Sequence, residues 1–278
     1  MRIRLRMNKR VKVLGIAGLI VILLLAWRSD LEVVEYEVKS NKVTDNIKIA
    51  FIADLHSCDY GKGQENLLKM LYAQEPDIIL LGGDIVDDKL PRDKAEEFLA
   101  AISGQYPCFY VSGNHEFWSG DIDNIKKMIR HYDIHVLEGE NITIEVNGQV
   151  VEIFGLDDPE VGENEFSRQL EKCGENIDNS VFSILLSHRP ELIGSYLNYD
   201  FDLILAGHAH GGQWRIPGIV NGLLAPNQGF FPKYAGGLYQ FPNSSMIVSR
   251  GLAKESTRIP RIFNRPEIVM VNIITEDN

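Results

Sequence analysis

Five short runs of apolar, largely β-branched residues recur along the chain, and each stops at a side chain able to bind a metal. They are "IKIAFIADL" (47 to 55), "DIILLGGD" (77 to 84), "CFYVSGN" (108 to 114), "VFSILLSH" (181 to 188) and "FDLILAGH" (201 to 208). Runs this short and this uniformly apolar read as strands covered on both faces, the habit of parallel sheets. Two stretches with helical spacing, "QENLLKMLYAQE" (64 to 75) and "RDKAEEFLAAIS" (92 to 103), separate the first three runs and give βαβ alternation. Alternating segments at 141 to 156, 244 to 251 and 267 to 275 add antiparallel pairing. The expected class is α/β, with a mixed sheet or two packed sheets.

The polar residues that close the runs are Asp54 then His56, Asp84, Asn114 then His115, His188, and His208 then His210. In open α/β sheets ligands bind outside the carboxyl ends of the strands, so these loops can converge. Extended backbone sends residues i and i+2 to one side, which would aim His208 and His210, and likewise Asp54 and His56, at a common point. Five of the seven histidines lie at these ends; His131 and His135 read as ordinary surface or hydrogen-bonded residues. Nitrogen and oxygen donors without thiolate suit Mn, Zn, Fe or Co. Asp54, Asp84, Asn114 and four imidazoles are too many for one ion, whereas two ions sharing a carboxylate would use them all. Glycines 82, 83, 113, 207, 211 and 212 crowd the same ends, where backbone must turn sharply or approach a ligand closely.

The formal charge is −11, but Arg2, Arg4, Arg6, Lys9, Arg10 and Lys12 stand together at the amino terminus, leaving a net −17 on residues 28 to 278. Such a body repels polyanions, so nucleic acid is a poor partner. Cys58, Cys108 and Cys173 form neither a disulfide framework nor a CxxC site and read as small buried hydrophobes. Val13 to Trp27 is continuously apolar; with Val11 and a snorkelling Lys12 it reaches 17 residues, the short end of the membrane-spanning range. A cleaved secretory signal has a similar layout, but the small-x-small cleavage pattern is missing and Trp27 followed by Arg28 suits an uncleaved anchor. The expectation is a single-pass anchor over residues 1 to 29 at the cell membrane, amino terminus cytoplasmic, with residues 30 to 278 on the extracytoplasmic side.

Taken in order, "DLH" (54 to 56), "GGD" (82 to 84), "GNHE" (113 to 116), "SH" (187 to 188) and "GHAH" (207 to 210) resemble the five-block pattern of calcineurin-like metallophosphoesterases. Beyond residue 210, "GGQWRIP", "YAGGLY", "VSRGL" and "RIFNRPEI" are similar to a branch of membrane-associated phosphodiesterases related to UDP-2,3-diacylglucosamine pyrophosphatases. The resemblance implies a four-layer α/β/β/α sandwich with a two-metal site at one edge, residues 30 to 278 forming the catalytic domain. One ion would take Asp54, His56 and His210, the other Asn114, His188 and His208, with Asp84 bridging. Position 209, often Thr in such proteins, is Ala here; its side chain would point away from the metals. The implied activity is two-metal hydrolysis of a phosphodiester or pyrophosphate bond in a lipid or envelope substrate, with His115 as general acid or stabiliser of the leaving oxygen.

Other residues carry two readings. Glu116 either orients His115 or is a solvated helix-start carboxylate. Asp87, Asp88, Asp157 and Asp158 read first as capping or turn residues. Arg189, Arg250, Arg258 and Arg265 are candidates for contact with substrate phosphate. Residues 214 to 241 read as packing inside a second sheet, or as an apolar flap for a lipid tail. Rival functions are a protein or small-molecule phosphomonoesterase of the same family and a non-catalytic metal-binding scaffold. No feature specifies an oligomeric state.

Overall fold

The structure, a computed structural model, describes residues 9–254 and 259–276. Its strands are β1 (Glu32–Ser40), β2 (Ile47–Ile52), β3 (Ile78–Gly82), β4 (Cys108–Val111), β5 (His135–Val136), β6 (Glu140–Val146), β7 (Gln149–Gly155), β8 (Phe182–Leu186), β9 (Leu203–Ala206), β10 (Leu224–Ala225), β11 (Gly229–Phe230), β12 (Gly237–Gln240), β13 (Ser245–Val248) and β14 (Glu267–Thr275). The helices are α1 (Lys9–Ala26), α2 (Glu65–Tyr72), α3 (Asp93–Ile102), α4 (Asn114–Trp118), α5 (Ile122–His131), α6 (Glu163–Glu175) and α7 (Ile193–Tyr196). All five apolar runs are strands, and both expected helices form as α2 and α3.

One six-stranded sheet has the order β1-β14-β2-β3-β4-β5 and the other β12-β13-β9-β8-β7-β6, with β10 and β11 a separate hairpin. Strands β2 to β5 are parallel, as are β7, β8, β9 and β13. Antiparallel partners are β14 on β2, β12 on β13 and β6 on β7. Alternation explains why the central strands are apolar throughout. In β2, Ile49 and Phe51 face the other sheet's Ile153, Ile184 and Leu205, while Ala50 and Ile52 face helix residues Leu67, Phe98 and Leu99. The second sheet's outer face is covered in the same way by Phe166 and Leu170 of α6 and Tyr196 of α7. Each fully buried Ile, Leu or Phe here contributes about 1.5–3 kcal/mol, and the layers run helix, sheet, sheet, helix.

Strand β1 carries no comparable signal, since "EVVEYEVKS" is charged on its open side. It is held at the sheet edge by Arg250, which bridges Glu32 and Glu267, and by Arg265, which pairs with Glu32 and Asp30. The register sets Glu32 directly opposite Glu267, a like-charge pair that these cations neutralise.

The amino-terminal expectation needs correction. Among the described residues no helix is long and apolar enough to cross a membrane. Helix α1 has 18 residues, but Lys9, Arg10 and Lys12 occupy its first turns and Trp27 falls beyond its end. The uncharged part, Val13 to Ala26, is roughly 21 Å at 1.5 Å per residue, short of the ~30 Å hydrocarbon core. Arg2, Arg4 and Arg6 of the basic flank lie outside the described residues, as does Arg258.

Candidate metal centre

Every strand of the five stops two or three residues before its polar residue, so Asp54, Asp84, His188 and His208 stand on loops, and Asn114 at the start of α4, at one shared edge. The backbone there is not extended, contrary to the expectation for the two i, i+2 pairs. Asp54 (φ 52°), His56 (49°), Asp84 (51°), His208 (64°) and His210 (46°) all adopt left-handed conformations. Each such residue costs on the order of 1–2 kcal/mol and persists only where its surroundings dictate it. Convergence therefore comes from tight left-handed turns rather than from strand alternation.

Hydrogen bonds hold these turns. The loop after β2 is joined to the loop after β3 through Asp54 N–H to Gly83 O (3.0 Å), His56 N–H to Asp84 O (2.8 Å) and Ser57 N–H to Ile85 O (3.0 Å). Glu116, fully buried, accepts from the amides of Asp84 (3.0 Å), Ile85 (2.8 Å), Val86 (3.1 Å) and Gly113 (2.9 Å). Burial first, then the nearby Asp84 carboxylate, raises its pKa to about 7. Gly113 has to be glycine, because a Cβ there would lie 2.3 Å from Asp84 Oδ1. Gly83 combines φ +86° with a Cβ position 2.7 Å from the Gly113 nitrogen.

Within this frame Asp84 is central. Its Oδ1 accepts from the His115 amide (2.8 Å), and its Oδ2 points between His188 Nε2 (3.1 Å) and His56 Nε2 (3.5 Å). Asp54, His56 and His210 bring ligand-type atoms within 4.8 Å of one another, as do Asp84, His188 and His208. His56 and His210 have ring centroids 5.2 Å apart, His188 and His208 5.0 Å. Asn114 opens α4 between Gly113 and His115, its side-chain oxygen buried.

Buried polar atoms are nearly always hydrogen-bonded. Here His56 Nε2, Asp84 Oδ2, Asn114 Oδ1, His188 Nε2 and His210 Nδ1 are all buried without a partner. A second set of groups fixes the rings so that these atoms face inward. His56 Nδ1–H donates to Asp87 (3.0 Å), His188 Nδ1–H to the Gly82 carbonyl (2.8 Å), and His208 Nε2–H to Asn227 Oδ1 (2.9 Å). Cations fit such a donor set, since imidazole ligands characteristically give their other N–H to a carboxylate or carbonyl.

Electrostatics follow from crowding charge in a dry edge. Burial opposes the charged ring of His188, but Asp84, Asp54 and Asp158 outweigh it and raise its pKa to about 10. Burial likewise opposes the Asp84 carboxylate, yet His188 and His56 hold its pKa well below the usual range. His208 and His210 are pushed well below the ordinary histidine value, by burial first and then by neighbouring His188 and His56 respectively.

His115 stands at the rim. Its Nδ1 donates to Asp88 (2.6 Å), and its ring lies edge-on to His56, 4.4 Å between centroids, with Trp118 on another side. Glu116 does not orient it, because all its bonds go to backbone. Asp87 and Asp88 were expected to cap turns; Asp87 does cap Lys89 and Leu90, but both also hold site histidines. Asp157 binds Lys126 and Ser112, and Asp158 pairs with both ends of the Arg189 fork. Of the candidate arginines in the described chain, Arg250 and Arg265 brace β1. Arg189 alone reaches the site, with Nη1 3.1 Å from His208 Nε2 and donating to Asn227 (2.9 Å). Asn227 gave no sequence signal. The three cysteines are buried, and Cys58 accepts from the Lys254 amide rather than facing the cluster.

Known proteins agree with this geometry. Residues 47–212 match the calcineurin-like phosphoesterase family. The chain is 30% identical over 251 residues to an uncharacterized metallophosphoesterase of Campylobacter jejuni, covering 87% of this chain and 63% of that protein, so it spans just under two thirds of that relative's length. It is 28% identical over 233 residues to the phosphodiesterase YaeI of Escherichia coli, covering 82% of each. A bovine transmembrane protein with a metallophosphoesterase domain is 28% identical over 242 residues, 82% of this chain and 53% of that one. The chain belongs to the calcineurin-like metallophosphoesterases, hydrolases that act on phosphoesters with two divalent metal ions.

Proposed function

We propose that the protein hydrolyses a phosphodiester or pyrophosphate bond in a membrane lipid or another cell-envelope compound, with residues 30 to 278 as the catalytic unit. Asp54, His56 and His210 would hold one divalent ion, Asn114, His188 and His208 the other, with Asp84 available to both. The observation that carries this reading is the set of five inward-facing ligand atoms, buried and without hydrogen-bond partners. When bound, two such ions supply Lewis acidity toward phosphoryl oxygens and lower the pKa of water.

The chain's own residues do the rest. Asp87, the Gly82 carbonyl and Asn227 take the outward N–H of His56, His188 and His208, which turns the opposite nitrogen of each ring toward the centre, where a cation would replace the proton that Asp84 and Asp54 favour on His188. The His115 amide fixes Asp84 Oδ1 and leaves Oδ2 for sharing. Asp88 holds His115 by Nδ1, so Nε2 is the atom that delivers a proton to the leaving oxygen. Diester cleavage is favoured over monoester cleavage by the likeness to YaeI.

The membrane part of the reading is narrowed by the length of α1. Rather than crossing the bilayer, α1, apolar on every side and exposed from Val13 to Leu25, inserts into lipid.

The test compares metal-loaded protein with His115→Ala on bis-p-nitrophenyl phosphate, a phospholipid panel and a phosphopeptide. Diester turnover that collapses in His115→Ala is expected. Equal rates in both proteins would remove the role of His115. A phosphopeptide turned over much faster than any diester would move the assignment to a protein phosphatase, and a purified protein that retains no metal would favour a non-catalytic scaffold.

A further inference from the structure

Residues 214 to 241 were read as packing inside the second sheet or as an apolar flap for a lipid tail; Gly237–Gln240 joins that sheet as β12, but residues 214 to 231 carry large apolar side chains in the open. Ile219 is 81% exposed, Phe230 72% and Phe231 67%, with Ile216 and Trp214 also open to solvent. All five belong to one structure suspended from Gly212, two residues past His210. Trp214 N–H and Leu223 N–H donate to Gly212 O, and Phe231 N–H to Leu223 O, so the turn at 216–220 and the β10–β11 hairpin leave the body side by side. A cluster of large apolar side chains in water is uncommon unless something covers it.

Charge and position indicate what does. From residue 203 to 254 the sequence contains no Asp or Glu, although the chain has 39, while Arg215, Lys233, Arg250 and Lys254 fall inside that stretch. Arg250 is consumed by Glu32 and Glu267, and Arg215 turns its guanidinium back toward Asn221 and Gly236, but Lys233 is exposed two residues from Phe231. The apolar helix also emerges here: Phe263 N–H donates to Ala26 O at the end of α1, Ile262 O accepts from Arg215, and Pro260 O accepts from the Trp214 indole. Trp214 therefore has an apolar body and a satisfied polar edge, the usual pattern at a bilayer surface.

We propose that the turn at 216–220 and the β10–β11 hairpin form a second lipid contact, dipping Ile216, Ile219, Phe230 and Phe231 into the interface of an anionic bilayer so that the edge carrying His208 and His210 faces the headgroups. This rests on the reading of the site as a hydrolase of membrane phosphodiesters and adds the surface that presents the bond. Basic residues near such a surface gain attraction from anionic lipid that salt screens, whereas carboxylates would be repelled.

Because the three native cysteines are buried, a new cysteine can be labelled selectively. Full-length Ile219→Cys and Phe230→Cys, each bearing a polarity-sensitive fluorophore, are mixed with phosphatidylglycerol vesicles, neutral phosphatidylcholine vesicles, or no lipid. Val150→Cys, exposed at the start of β7 on the far edge, serves as control. Expected is a blue shift at 219 and 230 with quenching by nitroxide lipids, larger on anionic than on neutral vesicles, and no change at 150. Labels at 219 and 230 that stay water-exposed while the protein co-floats with vesicles through α1 would overturn the proposal. So would a concentration-dependent shift without lipid, which would assign the patch to a second copy of the chain. Turnover of bis-p-nitrophenyl phosphate by the same samples separates the two readings: activity without a lipid shift sinks only the docking surface, and a lipid shift without activity sinks only the phosphodiesterase.

Discussion

The two halves of the site are built from different chemistry. On one side Asp54, His56 and His210 stand together with Asp87 behind His56, so that carboxylates outnumber cations. On the other, His188 and His208 are backed by a carbonyl and an amide, neutral Asn114 is the third ligand proposed there, and the Arg189 guanidinium lies 3.1 Å from His208, its charge countered by Asp158. Asp84 is common to both. An imidazole backed by carboxylate is a stronger donor than one backed by an amide, and a divalent ion gains more from the more anionic pocket. The difference predicts that two ions would not be equivalent here: the Asp54 side would hold its ion more tightly, and the His188 side would empty first.

The most drastic way to break this comparison is to remove the shared carboxylate. Asp84→Ala leaves neither side complete, and we expect loss of both ions and of all diester turnover, read by elemental analysis and initial rates; a variant that keeps two ions would deny Asp84 its place. Next in size is His115→Ala, which should retain both ions while kcat falls about 10²–10⁴-fold, the usual worth of a proton-transfer group. Glu116→Ala acts on both halves equally, since it strips four backbone amides of their acceptor. It should cost about 3 kcal/mol of stability, measured by denaturant unfolding, and a protein as stable as wild type would mean that the loops hold without it. The smallest expected effect sharpens the contrast directly. Asp87→Asn should weaken only the tighter ion, by about 10–100-fold, so that chelator titration of the wild type in two separated steps becomes nearly a single step. Two wild-type ions released together would dissolve the distinction.

The sheets were legible because strands buried on both faces need unbroken apolar runs, and "IKIAFI" or "SILL" leave little else to be. Strand β1 was not, because its fit depends on Arg250 and Arg265 neutralising a Glu–Glu register from more than 200 residues away. The residues nearest the centre were legible through their chemistry at strand ends, although the reason given for their convergence was wrong: five left-handed turns, not extended backbone, aim them. Asp88 and Asn227 were misread or hidden because a residue that holds another residue's ring has no spacing of its own, and Arg189, named as a candidate, is told apart from Arg250 and Arg265 only by the fold. The span through a membrane failed on length, since a run counted as apolar included Lys12 and a Trp27 that lies outside the helix.

Strand β14, the last of the chain, is inserted between β1 and β2, and the segment leading into it closes on the loop of Asp54 through Leu252 N–H to the Ala53 and Asp54 carbonyls. A nascent polypeptide can therefore fold its second sheet early, but its first sheet has a missing plank until residues 267 to 275 have been made. Maturation of the cation-holding edge is thus postponed until β14 emerges, and a product truncated just before it would carry every candidate ligand without the scaffold that gathers them.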